Sequence, residues 1–236
     1  MPTRPPHKRR EDRFFLALVL LILAVNFIGF ARTYYLAGIL RAPLPSPLVH
    51  IHGALFSCWL LLLLLQTVLV SLGRIRWHRQ LGILGGILAA LMLIFGPLVL
   101  FGALHRHAFS LDGANLIFAA DMGGLILFAL FVFLGLRLRN HPIAHKRLML
   151  FSTIAILPPS LSRWTFHFMD PLWVFLVIYL AFPLSIVLFD LFSSRKVHRV
   201  TWTCALLITV YVLGATPLSH TAAWHHLTAK IQGPTP

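Results

Sequence analysis

Apolar residues in this chain come in long unbroken runs, separated by short clusters of bases, prolines and polar residues. Seven runs can be traced, at about residues 14–30, 48–72, 81–101, 115–136, 148–166, 172–192 and 200–218. Each is close to the roughly 20 residues that a helix needs to cross a hydrocarbon layer. Stretches such as Leu60–Leu65 do not alternate, which excludes the short two-faced strands of a membrane barrel. A helix also satisfies its own backbone hydrogen bonds where no water is at hand. The breaks between runs are equally legible. Three prolines within 43–47 cannot donate to a helical ladder. The segments 74–79, 137–147 and 195–199 carry too many bases to lie in lipid.

Lysines and arginines on alternate loops are counted fifteen against five, the majority falling on the side of residues 1–13. The positive-inside rule then predicts an all-α integral membrane bundle of seven transmembrane helices, N-in and C-out. Residues 1–13 form a basic cytoplasmic tail, 14–218 the transmembrane domain, and 219–236 a short periplasmic tail. The first run also fits the opening of a signal peptide, whose cleavage would leave six helices in the same orientation. It is longer than a usual signal core and no small-x-small site follows closely, so it is taken as a retained anchor.

Composition removes the soluble classes. Of the 236 residues, 58% are hydrophobic and 11% charged, and the mean hydropathy is +0.85. Soluble domains carry about 25% charged residues. The net charge of +14 does not call for nucleic acid, because the bases sit between apolar runs where they face anionic inner-leaflet lipids. Cys58 and Cys204 lie at depths differing by roughly 10 Å along their helices, so both are expected to be packing residues rather than a disulfide. Gly82, Gly86 and Ala90 share one face of the third helix and are expected to let another helix approach. Pro158-Pro159 should bend the fifth helix at mid-span or line a polar cavity there.

Thirteen histidines are the feature that hydropathy does not explain. On the inner side, His78-Arg79, His145-Lys146-Arg147 and His198-Arg199 each open an odd-numbered helix. This faint repeat suggests stacked helical hairpins. The bases there either snorkel into headgroups or form a ring of imidazoles that holds a cofactor or relays protons. Asp190, near the inner end of the sixth helix, has Arg147, Lys146 and Arg195 within reach as counter-charges, and faces His145 or His78 if it belongs to a proton route.

On the outer side, His50 and His52 enter the second helix directly after the proline-rich loop. Two residues apart on a helix they point about 200° from each other and cannot grip one ion together. His52 shares its face with Phe56, Trp59 and Gln66. Asp121 lies inside the fourth run, where a carboxylate is costly unless paired or hydrated. Arg163 and His167 end the fifth helix on the same side. An outer-leaflet pocket of His52, His50, His167, Asp121 and Arg163 is therefore expected. Three roles compete for it: a structural ion pair of Asp121 with Arg163, a transition-metal or haem b site with His52 and His167 as ligands, and a proton or substrate path. No phosphate-binding loop, dinucleotide fingerprint, zinc-protease helix or serine elbow is present, and no catalytic residue can be named.

The segments 50–59, Gln66-Thr67, Gly73-Arg74 with 78–82, and 144–149 resemble a group of uncharacterised bacterial polytopic membrane proteins, over most of residues 48–200. The histidine–base helix starts are also similar, over short segments, to small membrane proteins linked to cytochrome oxidase assembly. The resemblance implies a bacterial inner-membrane location and a setting of haem handling or respiratory assembly. The function expected is a histidine-rich membrane protein binding haem or a metal, with a small proton-linked transporter or channel as the alternative and a structural subunit third. The expected partners are the bilayer and another membrane protein or a second copy.

Overall fold

A computed structural model describes residues 6–168 and 172–233, with the backbone alone over 6–9 and 164–168. Nine α-helices account for most of the described residues, which include no strand. They are α1 (Pro6–Phe30), α2 (Pro47–Ser71), α3 (Ile75–His105), α4 (Leu111–Arg137), α5 (Pro142–Ala155), α6 (Pro158–Phe168), α7 (Leu172–Ser194), α8 (Arg199–Ser219) and α9 (Ala222–Gln232). A π-helical turn, Ala31–Tyr35, follows α1. Six segments are long and apolar enough to cross a membrane: Arg10–Tyr35, Pro47–Ser71, Ile75–His105, Leu111–Arg137, Leu172–Ser194 and Arg199–Ser219. Their outward positions are apolar too. Leu61 and Leu65 on α2, Ile83 and Ile87 on α3, Phe133 on α4, and Val210 and Leu213 on α8 are all exposed. Helices apolar all round suit lipid as their solvent.

The helices outrun their apolar cores. α3 begins at Ile75 and α5 at Pro142, so His78-Arg79 and His145-Lys146-Arg147 lie in the first two turns of their helices, and His198 is the N-cap of α8. Proline suits the start of α2 and α5, where an N–H would have no intrahelical partner. Ser110 caps α4 by accepting from the Gly113 N–H, and Thr221 caps α9 by accepting from the Trp224 N–H. Gly73, with φ of 77°, makes the turn between α2 and α3 in the left-handed conformation that glycine adopts without strain.

The chain divides into two units, residues 1–92 and 93–236, the boundary lying within α3. In the first unit α1 packs on α2. Phe15, Leu18, Val19, Ile22 and Val25 of α1 are buried at the three- and four-residue spacing of one helical face. Trp59, Leu60 and Leu62 of α2 are buried as well. The expected stripe of small residues is only partly used. Gly85 meets Leu62 and Gly82 meets Gln66, but Gly86 has open space where a Cβ would stand and Ala90 is exposed. Cys58 is exposed and only Cys204 is buried, so just one cysteine is a packing residue.

In the second unit α4 packs against α5 and α8, and also touches α6 and α9. Glycines allow the closest approaches. A Cβ on Gly124 would stand 2.7 Å from the Ala155 carbonyl oxygen of α5, and one on Gly135 would stand 2.9 Å from Met149 Sδ. The fifth apolar run is not one helix. Pro158 and Pro159 lack the N–H groups that Ile154 and Ala155 carbonyls would otherwise receive, and the helix stops at Ala155 and restarts at Pro158. Both freed carbonyls find other company. Ile154 accepts from the Tyr179 hydroxyl and the Leu157 N–H, each at 3.1 Å, and Ala155 abuts the bare face of Gly124. Residues 219–236, read as a short tail, include α9, which folds back on the start of α4.

Candidate functional site

Around the α5–α6 break, polar groups of the second unit collect on the faces of four helices. Tyr211 of α8 donates its hydroxyl to the Ala120 carbonyl at 2.7 Å, and its ring covers Gly123, where a Cβ would come within 2.8 Å. Asp121 follows Ala120 on α4 and is half-buried. Arg163 of α6 donates to the Pro159 carbonyl of its own helix and lies within electrostatic reach of Asp121. Ser160, buried at the start of α6, donates to the Leu157 carbonyl at 2.8 Å. Tyr179 of α7 closes the break from the other side. The result is a carboxylate and a guanidinium of opposite charge beside a discontinuous helix, with two tyrosine hydroxyls committed to backbone carbonyls. Such an arrangement can hold or pass a proton, or take a small ion between the charges.

The residues expected in the outer-leaflet pocket fall in both units. Asp121, Arg163 and His167 belong to the second unit, His50 and His52 to the first. The His167 side chain lies outside the described residues. His52 does share a face with Phe56, ring centroids 4.2 Å apart, on a regular turn of α2. His50 is exposed; its carbonyl accepts from the Tyr34 hydroxyl at 3.1 Å, and the Tyr34 ring lies over Gly53. Among the described residues no group of three or more histidine, cysteine, aspartate or glutamate side chains is placed to hold a metal ion.

Two of the inner-side histidines, His145 and His198, belong to the second unit and have backbone partners there. His145 joins α5 to α4 through a contact of 2.7 Å between Nδ1 and the Gly135 carbonyl, in which the ring nitrogen donates. His198 accepts the Val200 N–H on Nδ1 at 3.2 Å and so caps α8. Burial and the nearby Arg147 charge hold the His198 imidazolium below its ordinary pKa range, consistent with a neutral ring that accepts. Neither imidazole is a free snorkelling group. His78 belongs to the first unit.

Asp190 takes Arg147 as its counter-charge, one of the partners expected from the sequence. The Arg147 guanidinium donates to both carboxylate oxygens, through Nη2 to Oδ1 and Nε to Oδ2. Thr201 Oγ1 donates to Asp190 Oδ2 at 2.5 Å and accepts from Arg147 Nε at 3.0 Å. The His198 N–H adds a third donor to Oδ2 at 3.1 Å, and Arg147 Nη1 reaches the Ile143 carbonyl at 3.1 Å. Arg147 and Asp190 side chains are only 6% and 2% exposed. The network pins together α5, α7 and α8.

Two polar clusters had no forecast. At the α1–α2 junction, the Tyr35 hydroxyl donates to Asn26 Oδ1 at 3.0 Å and meets Ser57 Oγ at 2.8 Å. At the start of α4, buried Asn115 meets His225 of α9 at 3.2 Å through its side-chain amide, and its carbonyl accepts from Trp224 Nε1 at 3.0 Å. Asn26 and Asn115, amides set in or at the edge of apolar runs, were the available signals. No protein-family model, curated protein or solved structure matches the chain. By the length and composition of its helices it is a multi-pass, all-helical membrane protein with six candidate spans.

Proposed function

We propose that the chain is a bacterial inner-membrane protein of seven spans, N-in and C-out, with α5 and α6 together making the fifth crossing. Its function is proton-linked: protons, alone or with a small solute, pass through the second unit by way of the Asp121 carboxylate, with Arg163 as its fixed counter-charge. The observation that carries this is an intramembrane carboxylate facing an opposite charge at a broken helix. Ionisable groups at such depth mark ion paths, and broken helices at membrane depth are tolerated where they line a cavity or are buried in protein. The Arg147–Asp190 network, by contrast, is closed on itself and serves to hold helices together. The test uses the purified chain in liposomes loaded with a pH-sensitive dye, with a potassium diffusion potential as the driving force. Proton entry above that of empty liposomes is expected, and Asp121→Asn should abolish it. Flux equal to empty liposomes, or an unchanged rate in Asp121→Asn, refutes the proton path.

The haem or transition-metal reading has one favourable observation, the tilted packing of the His52 ring against Phe56. It is separated from the first by the absorption spectrum and bound iron, copper and zinc of the same preparation. If a cofactor is present, His52→Ala should lose most of it and His50→Ala should keep most of it. Full occupancy in both variants removes His52 as a ligand.

A further inference from the structure

The second unit carries a groove of about 920 Å³, lined by Leu138, 141–144 and 197–200. Its two walls are the α4–α5 connection with the first turn of α5, and the α7–α8 connection with the first turn of α8. Most of the lining is apolar: Leu138, Pro142, Ile143, Ala144, Val197 and Val200. The polar part of the lining is the His141 and His198 imidazoles and the Arg199 guanidinium, the last its fixed positive charge. Arg137, Arg139, Arg195 and Lys196 stand within two residues of lining positions, and no acidic residue occurs in 137–147 or 194–203. Asp190, the nearest acid in sequence, is consumed by Arg147 and Thr201. The charge of Arg199 and of these four neighbouring bases therefore has no acidic counterpart within these segments.

Two further features suit an anion with an apolar body. The amino end of α5 opens on the groove and the His141 side chain does not cap it, whereas α8 is already capped by His198. First-turn N–H groups and the helix dipole favour negative charge there. The apolar wall also runs toward exposed apolar residues, with Ile143 51% and Trp202 59% exposed, where acyl chains would lie. We propose that this groove binds an anionic phosphate group, that of a membrane phospholipid headgroup, with the lipid's acyl chains along Ile143 and Val200. The buried Arg147–Asp190 network supports the site by holding His198 and the start of α8 against α5. This site is independent of the Asp121–Arg163 path.

The experiment measures the unfolding temperature of the full chain in a neutral detergent. Phosphatidylglycerol, phosphatidylcholine and inorganic phosphate are added separately. Phosphatidylglycerol at about a hundredfold over its dissociation constant should raise the midpoint by about 5–10 °C. Phosphatidylcholine should raise it far less, because its choline adds a cation to a basic groove. A shift with phosphatidylglycerol but not with inorganic phosphate assigns the phosphate to a lipid. An equal shift with inorganic phosphate upholds a phosphate site but overturns the lipid assignment. The double variant His141→Gln/Arg199→Gln should lose the phosphatidylglycerol shift while Arg199→Lys keeps it, which separates charge from packing. Equal stabilisation by both lipids, or a full response in the double variant, overturns the proposal.

Discussion

Replacing Asp190 by asparagine keeps the shape of the side chain and removes one charge from a site where four hydrogen bonds end on the carboxylate. Arg147, 6% exposed, would then lose the Asp190 charge while still held by Thr201 and the Ile143 carbonyl. Removing one partner of a buried pair costs about 3–5 kcal/mol, since the remaining charge stays desolvated. At about 2–4 °C per kcal/mol for a chain of this size, the unfolding midpoint should fall by about 6–20 °C. The double variant Arg147→Met/Asp190→Leu removes both charges. It leaves the Thr201 hydroxyl and the His198 N–H to find new partners, at about 1–3 kcal/mol. The double variant should therefore be more stable than Asp190→Asn alone. Thermal unfolding of detergent-purified protein, followed by tryptophan fluorescence, measures all three. A loss under 2 °C in Asp190→Asn, or a double variant no more stable than Asp190→Asn, would sink the account of a closed structural pair.

Gly124→Ala places a methyl 2.7 Å from the Ala155 oxygen and should cost about 1–3 kcal/mol in the same assay, while Gly86→Ala, with open space, should cost almost nothing. His198, held below its ordinary pKa, contributes stability that is present above about pH 6.5 and is lost as pH falls below that value, because the unfolded chain takes the proton first. His198→Asn, which keeps a capping side chain without titrating, should flatten the difference in midpoint between pH 7.5 and pH 5 relative to the parent. A reporter active only in the periplasm should work at the carboxyl end and stay silent within 137–147; the reverse pattern overturns the N-in, C-out proposal.

Hydropathy located α1, α2, α3, α4, α7 and α8 because each apolar run is itself the physical requirement for a span. It also marked the place of the fifth run's break, since a missing N–H is a local property of Pro158 and Pro159. What followed from the break was not local. Tyr179 takes the Ile154 carbonyl from a helix that comes 25 residues later. α9 escaped notice because Ala222–Gln232 is short and mixed, and is held by Trp224 and His225 against Asn115, more than 100 residues away. The small-residue stripe was read from spacing alone. Which of two adjacent faces of α3 meets α2 depends on helix rotation, and Gly85 took the contact with Leu62 that Gly86 did not. Arg147 was named among three bases for Asp190; its place on the inward face of α5, beside Thr201 of α8, decided between them.

The central position of α4 has a consequence for how the chain is made. Its partners in α8 and α9 are translated last: Tyr211 and Trp224 follow their α4 acceptors, Ala120 and Asn115, by 91 and 109 residues. At the 5–20 residues per second typical of synthesis, α4 waits for about 5–20 s with two of its faces unclaimed. During that interval Gly123, Asn115 and Asp121 face lipid, the insertion machinery or a passing helix. Nascent chains halted before α8 should therefore be preferred substrates for membrane proteases and holding chaperones, and release of the last 40 residues should end that vulnerability.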